Sequence, residues 1–149
     1  MRDNIYEYLR EFGFSKDSLK NFENVNEEMY FVELNEVKTN ISFLLNLGFT
    51  NEEIVNIINN NPFILTIAKN RNDYFIKLYV NILNFSKDEL KQLILNNNES
   101  ITSSPIELEK IVNYLYNDKQ YNYVDIKSIL LNNSKIISMT FNEFLNVVI

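Results

Sequence analysis

Residues 44–65 read LLNLGFTNEEIVNIINNNPFIL, and this stretch describes a complete helical corner. Gly48 follows the last apolar residue of an incoming helix, where a left-handed residue commonly ends helices. Glu53 lies three residues after Thr50, the spacing at which the two side chains bond to each other's backbone amides and start a helix. The stretch therefore predicts one helix that ends near Gly48 and a second that begins after Thr50.

The apolar residues of the second helix are spaced for burial on one side. Ile54, Ile57 and Ile58 share a face at helical spacing. Phe49 precedes the capping residue and faces Ile54, which is the arrangement of a hydrophobic staple. Pro62 prevents the helix from continuing, because its ring removes an amide donor and clashes with the preceding turn. The stretch predicts a helical hairpin.

The same pattern recurs at intervals of 35–36 residues. The other corners are Gly13-Phe14-Ser15, Asn84-Phe85-Ser86 and Gln120-Tyr121-Asn122. Glycine suits a left-handed backbone best and asparagine comes next. Glutamine is poor there, so we expect the fourth corner to be built differently. The repeats cover approximately residues 5–40, 41–77, 78–113 and 114–140.

A period of this length that carries a pair of helices is typical of an α-solenoid. We therefore predict an all-α fold with about four helical-hairpin repeats, each of two helices and a short third turn, in a single domain over residues 1–149. A last helix, 141–149, would place Phe141, Phe144, Leu145 and Val148 on one face and cap the preceding repeat. The alternative is that this end of the array stays partly open and pairs with another subunit.

Helical spacing, caps and prolines predict the remaining boundaries. Segments 69–73 and 97–104 are expected to be polar loops, and Asn35 is expected to cap the helix that follows it. The abundant asparagines are expected at caps, helix ends and exposed faces. The other predicted helices are 3–12, 16–23, 36–47, 73–83, 87–96, 105–116 and 123–132.

Composition bears on chemistry and location. The chain has no Cys and no His, which removes thiol chemistry and the commonest general base and metal ligand. Adjacent acids such as Glu52–Glu53 fall in first helical turns, where they favour the helix dipole. We therefore expect no enzyme activity, no catalytic residues, no cofactor and no metal. No apolar run reaches the ~20 residues of a membrane span, so we expect a cytoplasmic protein without a membrane partner.

Charge is distributed unevenly. The formal net charge is −6, and residues 1–60 carry eleven acids against five bases, whereas residues 61–149 carry nine of each. The candidate nucleic-acid-binding residues are Lys69, Arg71, Lys77, Lys87 and Lys91. Bases at repeat edges could contact phosphates. The alternative is an ordinary solvated surface in which acids are interleaved with these bases.

Tyrosines are concentrated around the fourth corner, at Tyr114, Tyr116, Tyr121 and Tyr123. Exposed tyrosine suits protein interfaces, because it provides a large contact area at a small entropic cost. These four residues are therefore candidates for a protein interface. The alternative is amphipathic filling at the end of the array.

The stretch LLNLGFTNEEIVNIINNNPFIL resembles the repeat of the mitochondrial transcription termination factor (mTERF) family. The resemblance rests on a leucine–glycine–apolar corner, a small capping residue, two acids, paired aliphatics, proline and leucine. It implies repeats of two helices plus a short third turn, stacked into a superhelix. It also implies binding to double-stranded nucleic acid, since many members do so, and some act in organellar transcription or translation.

Two functions remain open from the sequence. The acidic first half and the lack of catalytic side chains favour a binding module that engages another protein, as an adaptor or inhibitor. The alternative is an mTERF-like protein that binds duplex DNA or RNA and acts in transcription or its regulation. The oligomeric state is not indicated.

Overall fold

The structure is a computed structural model that describes residues 1–148, the side chain of Val148 excepted. The described residues contain no β-strand, which confirms the all-α prediction. Val148, as a predicted member of the capping face, and Ile149 lie outside the described side chains. The α-helices are α1 (Asp3–Phe12), α2 (Lys16–Val25), α3 (Leu34–Asn46), α4 (Asn51–Asn60), α5 (Lys69–Ile76), α6 (Lys87–Asn96), α7 (Pro105–Asn113), α8 (Tyr123–Asn132) and α9 (Phe141–Val148).

A short 3₁₀ turn, called here the closing turn, follows the second helix of each hairpin. The closing turns are Glu27–Tyr30, Pro62–Thr66, Asn98–Ser100 and Ser134–Ser138. This gives the predicted pattern of two helices and a third turn, four times over. The chain forms two compact units, Met1–Asn72 and Asp73–Ile149, and the boundary falls inside α5. The first unit holds two hairpins, and the second holds two hairpins and α9.

The caps of the second helices form as predicted. Thr50 and Glu53 make a reciprocal capping box, with Thr50 N donating to Glu53 Oε1 at 2.9 Å and Glu53 N to Thr50 Oγ1 at 3.1 Å. Ser86 and Glu89 make the same pair of bonds. Such boxes satisfy amides that a helix start otherwise leaves unbonded. The hairpins are therefore specified by short-range chemistry.

The left-handed residue at each corner is also present, and here one expectation was wrong. Gly13 and Gly48 have φ of 132° and 96°, and Asn84 has 57°. Gln120 has φ of 58°, so the fourth corner uses the left-handed backbone despite its unfavourable residue. Forcing a side-chain-bearing residue into that region costs about 1–2 kcal/mol, and the capped helix that follows, with Asn122 as its cap, holds the turn in place.

At the last two corners, the backbone hydrogen bond that closes the turn spans one residue more than at the first two. The amide of Phe14 donates to Leu9 O at 3.0 Å, five residues back, whereas Phe85 donates to Tyr79 O at 2.9 Å, six residues back. A π-helical stretch precedes each of the wider corners: Lys77–Ile82 and Tyr114–Asp118. This extra residue accounts for the change in spacing from 35 to 36.

Three boundaries differ from the sequence prediction. The segment expected as a polar loop at 69–73 is helical, because α5 begins at Lys69. Asn35 is not the cap of α3, since Glu33, two residues earlier, is the N-cap and forms a capping box with Glu36. The expected loop 97–104 contains the closing turn Asn98–Ser100. In each case the sequence predicted a loop or a cap, because the residues at the helix end are polar and have no apolar residues at helical spacing.

Hydrophobic staples contribute buried residues to the core of the first three hairpins. Phe14 and Leu19 are buried, as are Phe85 and Leu90 at the equivalent positions of the third hairpin. The fourth staple is different, because Tyr121 is 42% exposed. The end of the array is therefore less well covered than its earlier repeats.

Asn40 and Asn72 are buried inside α3 and α5, although asparagines were expected at caps, helix ends and exposed faces. Asn40 Nδ2 donates to the carbonyl oxygens of Leu65 at 2.9 Å and Ile67 at 3.0 Å, and its Oδ1 accepts from Asn72 Nδ2 at 2.8 Å. Buried amides need such partners, since an unpaired polar group in the core is costly. Asn40 thus fastens the chain that leaves the second closing turn to α3.

Helix α9 packs against α7, the first helix of the preceding hairpin. Phe144 is 1% exposed, and its ring lies 6.0 Å from that of Tyr114. The amide of Phe141 donates to Glu107 Oε1 at 3.4 Å. Lys110, which bonds to the same carboxylate, and this amide both lower the pKa of Glu107.

Candidate nucleic-acid interface

The five predicted phosphate-contacting residues lie on α5, its π-helical extension and α6. Lys69 and Arg71 belong to the first unit, at the start of α5. Lys77, Lys87 and Lys91 belong to the second unit. Because α5 begins at Lys69, Lys69 and Arg71 lie on a helix instead of the predicted loop. The other three residues lie on helical elements, as expected.

Accessibility divides the five residues into two sets. Lys69, Lys77 and Lys87 are exposed, whereas Arg71 and Lys91 are half-buried and already interact with other groups of the protein. Lysine ammonium groups at the surface can reach phosphate oxygens as mobile point charges. The exposed three are therefore the residues best placed for phosphate contacts.

Lys91 occupies a position whose role is visible in the next hairpin. Counted from the cap, it is the fifth residue of α6, and Lys127 is the fifth residue of α8. Lys127 Nζ bonds to Asn84 O at 3.2 Å and Glu89 Oε1 at 3.1 Å. A lysine at this position can thus serve hairpin stacking, which the sequence pattern did not reveal.

The acidic residues interleaved with these bases differ in their exposure and in their partners. Asp73 and Asp88 are exposed. Glu89 is half-buried, and its pKa is lowered chiefly by the backbone amide of Ser86, with a further contribution from Lys127. The cap of α6 therefore keeps Glu89 ionised. Because the carboxylate of Glu89 forms its ion pair with Lys127, this pair does not neutralise Lys87.

The four candidate tyrosines do not form one surface. Tyr114 is half-buried and makes edge-to-face contacts with Phe141 and Phe144, the first at 5.7 Å. Tyr116 and Tyr123 stack on each other at the surface, with ring centroids 4.6 Å apart and planes at 17°. Tyr114 thus serves the packing of α9, while the Tyr116–Tyr123 pair remains accessible.

Tyr121 lies elsewhere, on a cleft of about 640 Å³ at the C-terminal end of the second unit. The cleft is lined mostly by apolar side chains of α8, the last closing turn and α9. It could not be recognised from the sequence, because its walls come from residues up to 32 positions apart.

The described residues contain neither a cluster of metal ligands nor a helix that could cross a membrane. No group of three acidic side chains in residues 1–148 lies close enough to hold a metal ion. None of the described helices is long and apolar enough to span a bilayer. The phenol of Tyr79 is the one strongly perturbed group inside the described core: burial raises its pKa.

Capped hairpins at a regular period, each with a closing turn, define an α-solenoid repeat protein. The mTERF family model matches residues 1–146, nearly the whole chain. This protein belongs to the mTERF family, and the resemblance first seen over residues 44–65 extends across all four hairpins and most of α9. A search of curated proteins finds no match.

Proposed function

We propose that this protein is a non-enzymatic helical-repeat protein that binds double-stranded nucleic acid and acts in transcription or its regulation. The observation that carries the proposal is the family match over residues 1–146. The sequence alone favoured a protein partner. The family match supports the nucleic-acid alternative instead, and we therefore reverse that order. A cytoplasmic location stays a prediction.

Three exposed lysines support the proposal chemically. Lys69, Lys77 and Lys87 are carried on helical elements, and Lys69 and Lys87 stand at the first positions of α5 and α6. Helix starts add a partial positive charge that favours phosphate nearby. The protein as a whole is acidic, with a net charge of −6. Binding should therefore be weak and steeply dependent on salt.

The test is a titration of labelled duplex DNA and duplex RNA, followed by fluorescence anisotropy at about 50 and 200 mM salt. We expect affinity in about the micromolar range at the lower salt, and a loss of at least about tenfold between the two conditions if three phosphates are contacted. The variant K69E/K77E/K87E should lose this binding and reduce the salt slope by about 3.

A variant of equal charge controls for net charge. K16E/K20E/K38E replaces three exposed lysines of α2 and α3, so that both variants carry −12 in place of −6. Binding that persists in this control and disappears in the first variant supports phosphate contacts through Lys69, Lys77 and Lys87. Equal losses in both would indicate attraction without a site. The absence of binding by the unsubstituted protein to either duplex at the lower salt would overturn the proposal.

A further inference from the structure

Helix α9 is in register with the first helices of the preceding hairpins. Thr140 and Glu143 stand 36 residues after Ser104 and Glu107, and in both pairs the hydroxyl oxygen accepts from the glutamate amide. Phe144 is buried at the position that Leu108 occupies in α7. α9 is thus the first helix of a fifth hairpin that lacks a second helix among the described residues.

Residues that would be covered by that second helix are more exposed than their equivalents. Ile129 and Met139 are half-buried, whereas Leu93 and Ile67 at the corresponding positions are buried. Val147 is 69% exposed, although Ile111, its equivalent in α7, is fully buried. These residues line the C-terminal cleft of about 640 Å³, together with Ile136. The cleft is the open end of the repeat stack.

The earlier hairpins show what such a helix contributes. α8 packs against α6, the second helix of the hairpin before it. α4, α6 and α8 carry aliphatic residues at the fourth, seventh and eighth helical positions, which in α8 are Ile126, Ile129 and Leu130. The incoming helix therefore needs an apolar face with this spacing.

The fifth helical position meets the preceding corner. Lys127 Nζ bonds to the carbonyl oxygen of the left-handed Asn84 and to Glu89, the third residue of α6. In the first unit, Val55 of α4 occupies the same place, with its Cγ2 3.5 Å from where a Cβ on Gly13 would stand. In both units, the fifth residue of the second hairpin's second helix therefore contacts the corner of the hairpin before it.

The last hairpin presents the equivalent groups, and no further helix covers them among the described residues. Gln120 is its left-handed corner residue, equivalent to Asn84, and Asp125 is the third residue of α8, equivalent to Glu89. Both are exposed. A carbonyl oxygen and a carboxylate at this spacing would accept hydrogen bonds from a lysine or arginine side chain.

We propose that the C-terminal face binds an amphipathic helix of another polypeptide, stacked as the second helix of a fifth hairpin. That helix carries aliphatic side chains at its fourth, seventh and eighth positions, for the cleft lined by Ile129, Met139 and Val147. It carries lysine or arginine at its fifth position, for Gln120 O and Asp125. A second copy of this chain cannot supply it while folded, because the corresponding faces of α4 and α6 are buried, as are Ile126 and Leu130 of α8.

The probe is a synthetic peptide with the sequence of residues 120–133, which has the required residues, added to the ¹⁵N-labelled protein of residues 1–149. We expect saturable shifts of amide resonances around Ile129, Met139 and Val147. A peptide in which the residues equivalent to Ile126, Ile129 and Leu130 are serine should bind at least about tenfold more weakly, since several buried aliphatic groups are lost. Equal binding by the serine peptide would overturn the proposal.

A charge swap tests the recognition of the fifth residue. The peptide change Lys127→Glu and the protein change Asp125→Lys should each weaken binding by about fivefold, the scale of an exposed ion pair, and the two together should restore it. Thermal unfolding of D125K checks that the protein remains folded. No restoration, or no shifts up to about 1 mM peptide, would contradict the proposal. So would a dimer in sedimentation that Val147→Glu dissociates, because a second copy would then occupy the face.

Discussion

Asn26 Nδ2 donates a hydrogen bond to the carbonyl oxygen of Pro62 at 3.3 Å, across 36 residues of sequence. The same amide reaches Thr66 Oγ1 at 3.0 Å. In the second unit, Asn97 Nδ2 donates to Ser134 O at 2.9 Å and to Ser138 Oγ at 3.0 Å. In both units the asparagine that follows a second helix thus ties its closing turn to the next one.

The amide belongs to the earlier hairpin in both cases, and its acceptors belong to the later one. Each of these two ties therefore joins consecutive hairpins within one unit.

We predict that Asn26→Ala destabilises the protein by about 2–3 kcal/mol, because it removes three hydrogen bonds and leaves the buried Pro62 carbonyl without its amide donor. Urea unfolding would measure the change. Asn133→Ala is the matched control: Asn133 follows α8 in the same way but is exposed and bonds to Ile129 O within its own helix end. It should cost less than about 0.5 kcal/mol. Similar losses of stability in the two variants would show that the bonds from Asn26 to the next closing turn add nothing to stability.

Replacement of Gln120, the left-handed residue of the fourth corner, is expected to stabilise the protein. Gln120→Gly should stabilise the protein by up to about 1 kcal/mol, because glycine adopts φ of 58° without the steric penalty of a side chain, less the entropy that glycine loses on folding. Gly48→Ala should destabilise it by about 1–2 kcal/mol for the same reason. Thermal unfolding of both variants tests the pair. If Gln120→Gly had no stabilising effect, the fourth corner would not be strained.

Removal of the Tyr79 hydroxyl is expected to increase the stability of the protein. Its side chain is 2% exposed and packs against Phe75 and Phe85, and its Oη is buried with no hydrogen-bond partner among the described residues. Tyr79→Phe should therefore raise the free energy of unfolding by about 1 kcal/mol. Tyr116→Phe, at an exposed hydroxyl, provides the control and should leave stability nearly unchanged. A destabilised Tyr79→Phe would mean that the hydroxyl is paired in solution.

The lowered pKa of Glu89 predicts a pH-dependent contribution to stability. A carboxylate whose pKa is lower in the folded state stabilises the fold above its unfolded pKa, and the effect is lost as pH falls through the folded pKa. Unfolding free energies of the parent and Glu89→Gln should thus differ at neutral pH and converge in acid. Glu109→Gln, whose carboxylate faces Tyr74, is the comparison. A difference for Glu89 that stays constant with pH would refute this coupling.

Much of the local fold could be predicted from the sequence, because its signals act over a few residues. The capping boxes at Thr50 and Ser86, the staples and the left-handed glycines all join residues within about one or two helical turns. The repeat period follows from their recurrence. Corners and second helices were therefore placed nearly correctly, whereas the polar start of α5 was missed because it has no apolar period.

Long-range contacts decided the rest. Whether Asn26 caps its own helix, bonds to the next closing turn or faces solvent depends on a partner 36 residues away, which local pattern does not specify. The same holds for Tyr114, whose ring packs against α9, and for Lys127, which bonds to an earlier corner. The sequence by itself determined the hairpins and their period. The tertiary structure decided which polar side chains join them and which face remains open, because those outcomes depend on how successive hairpins stack.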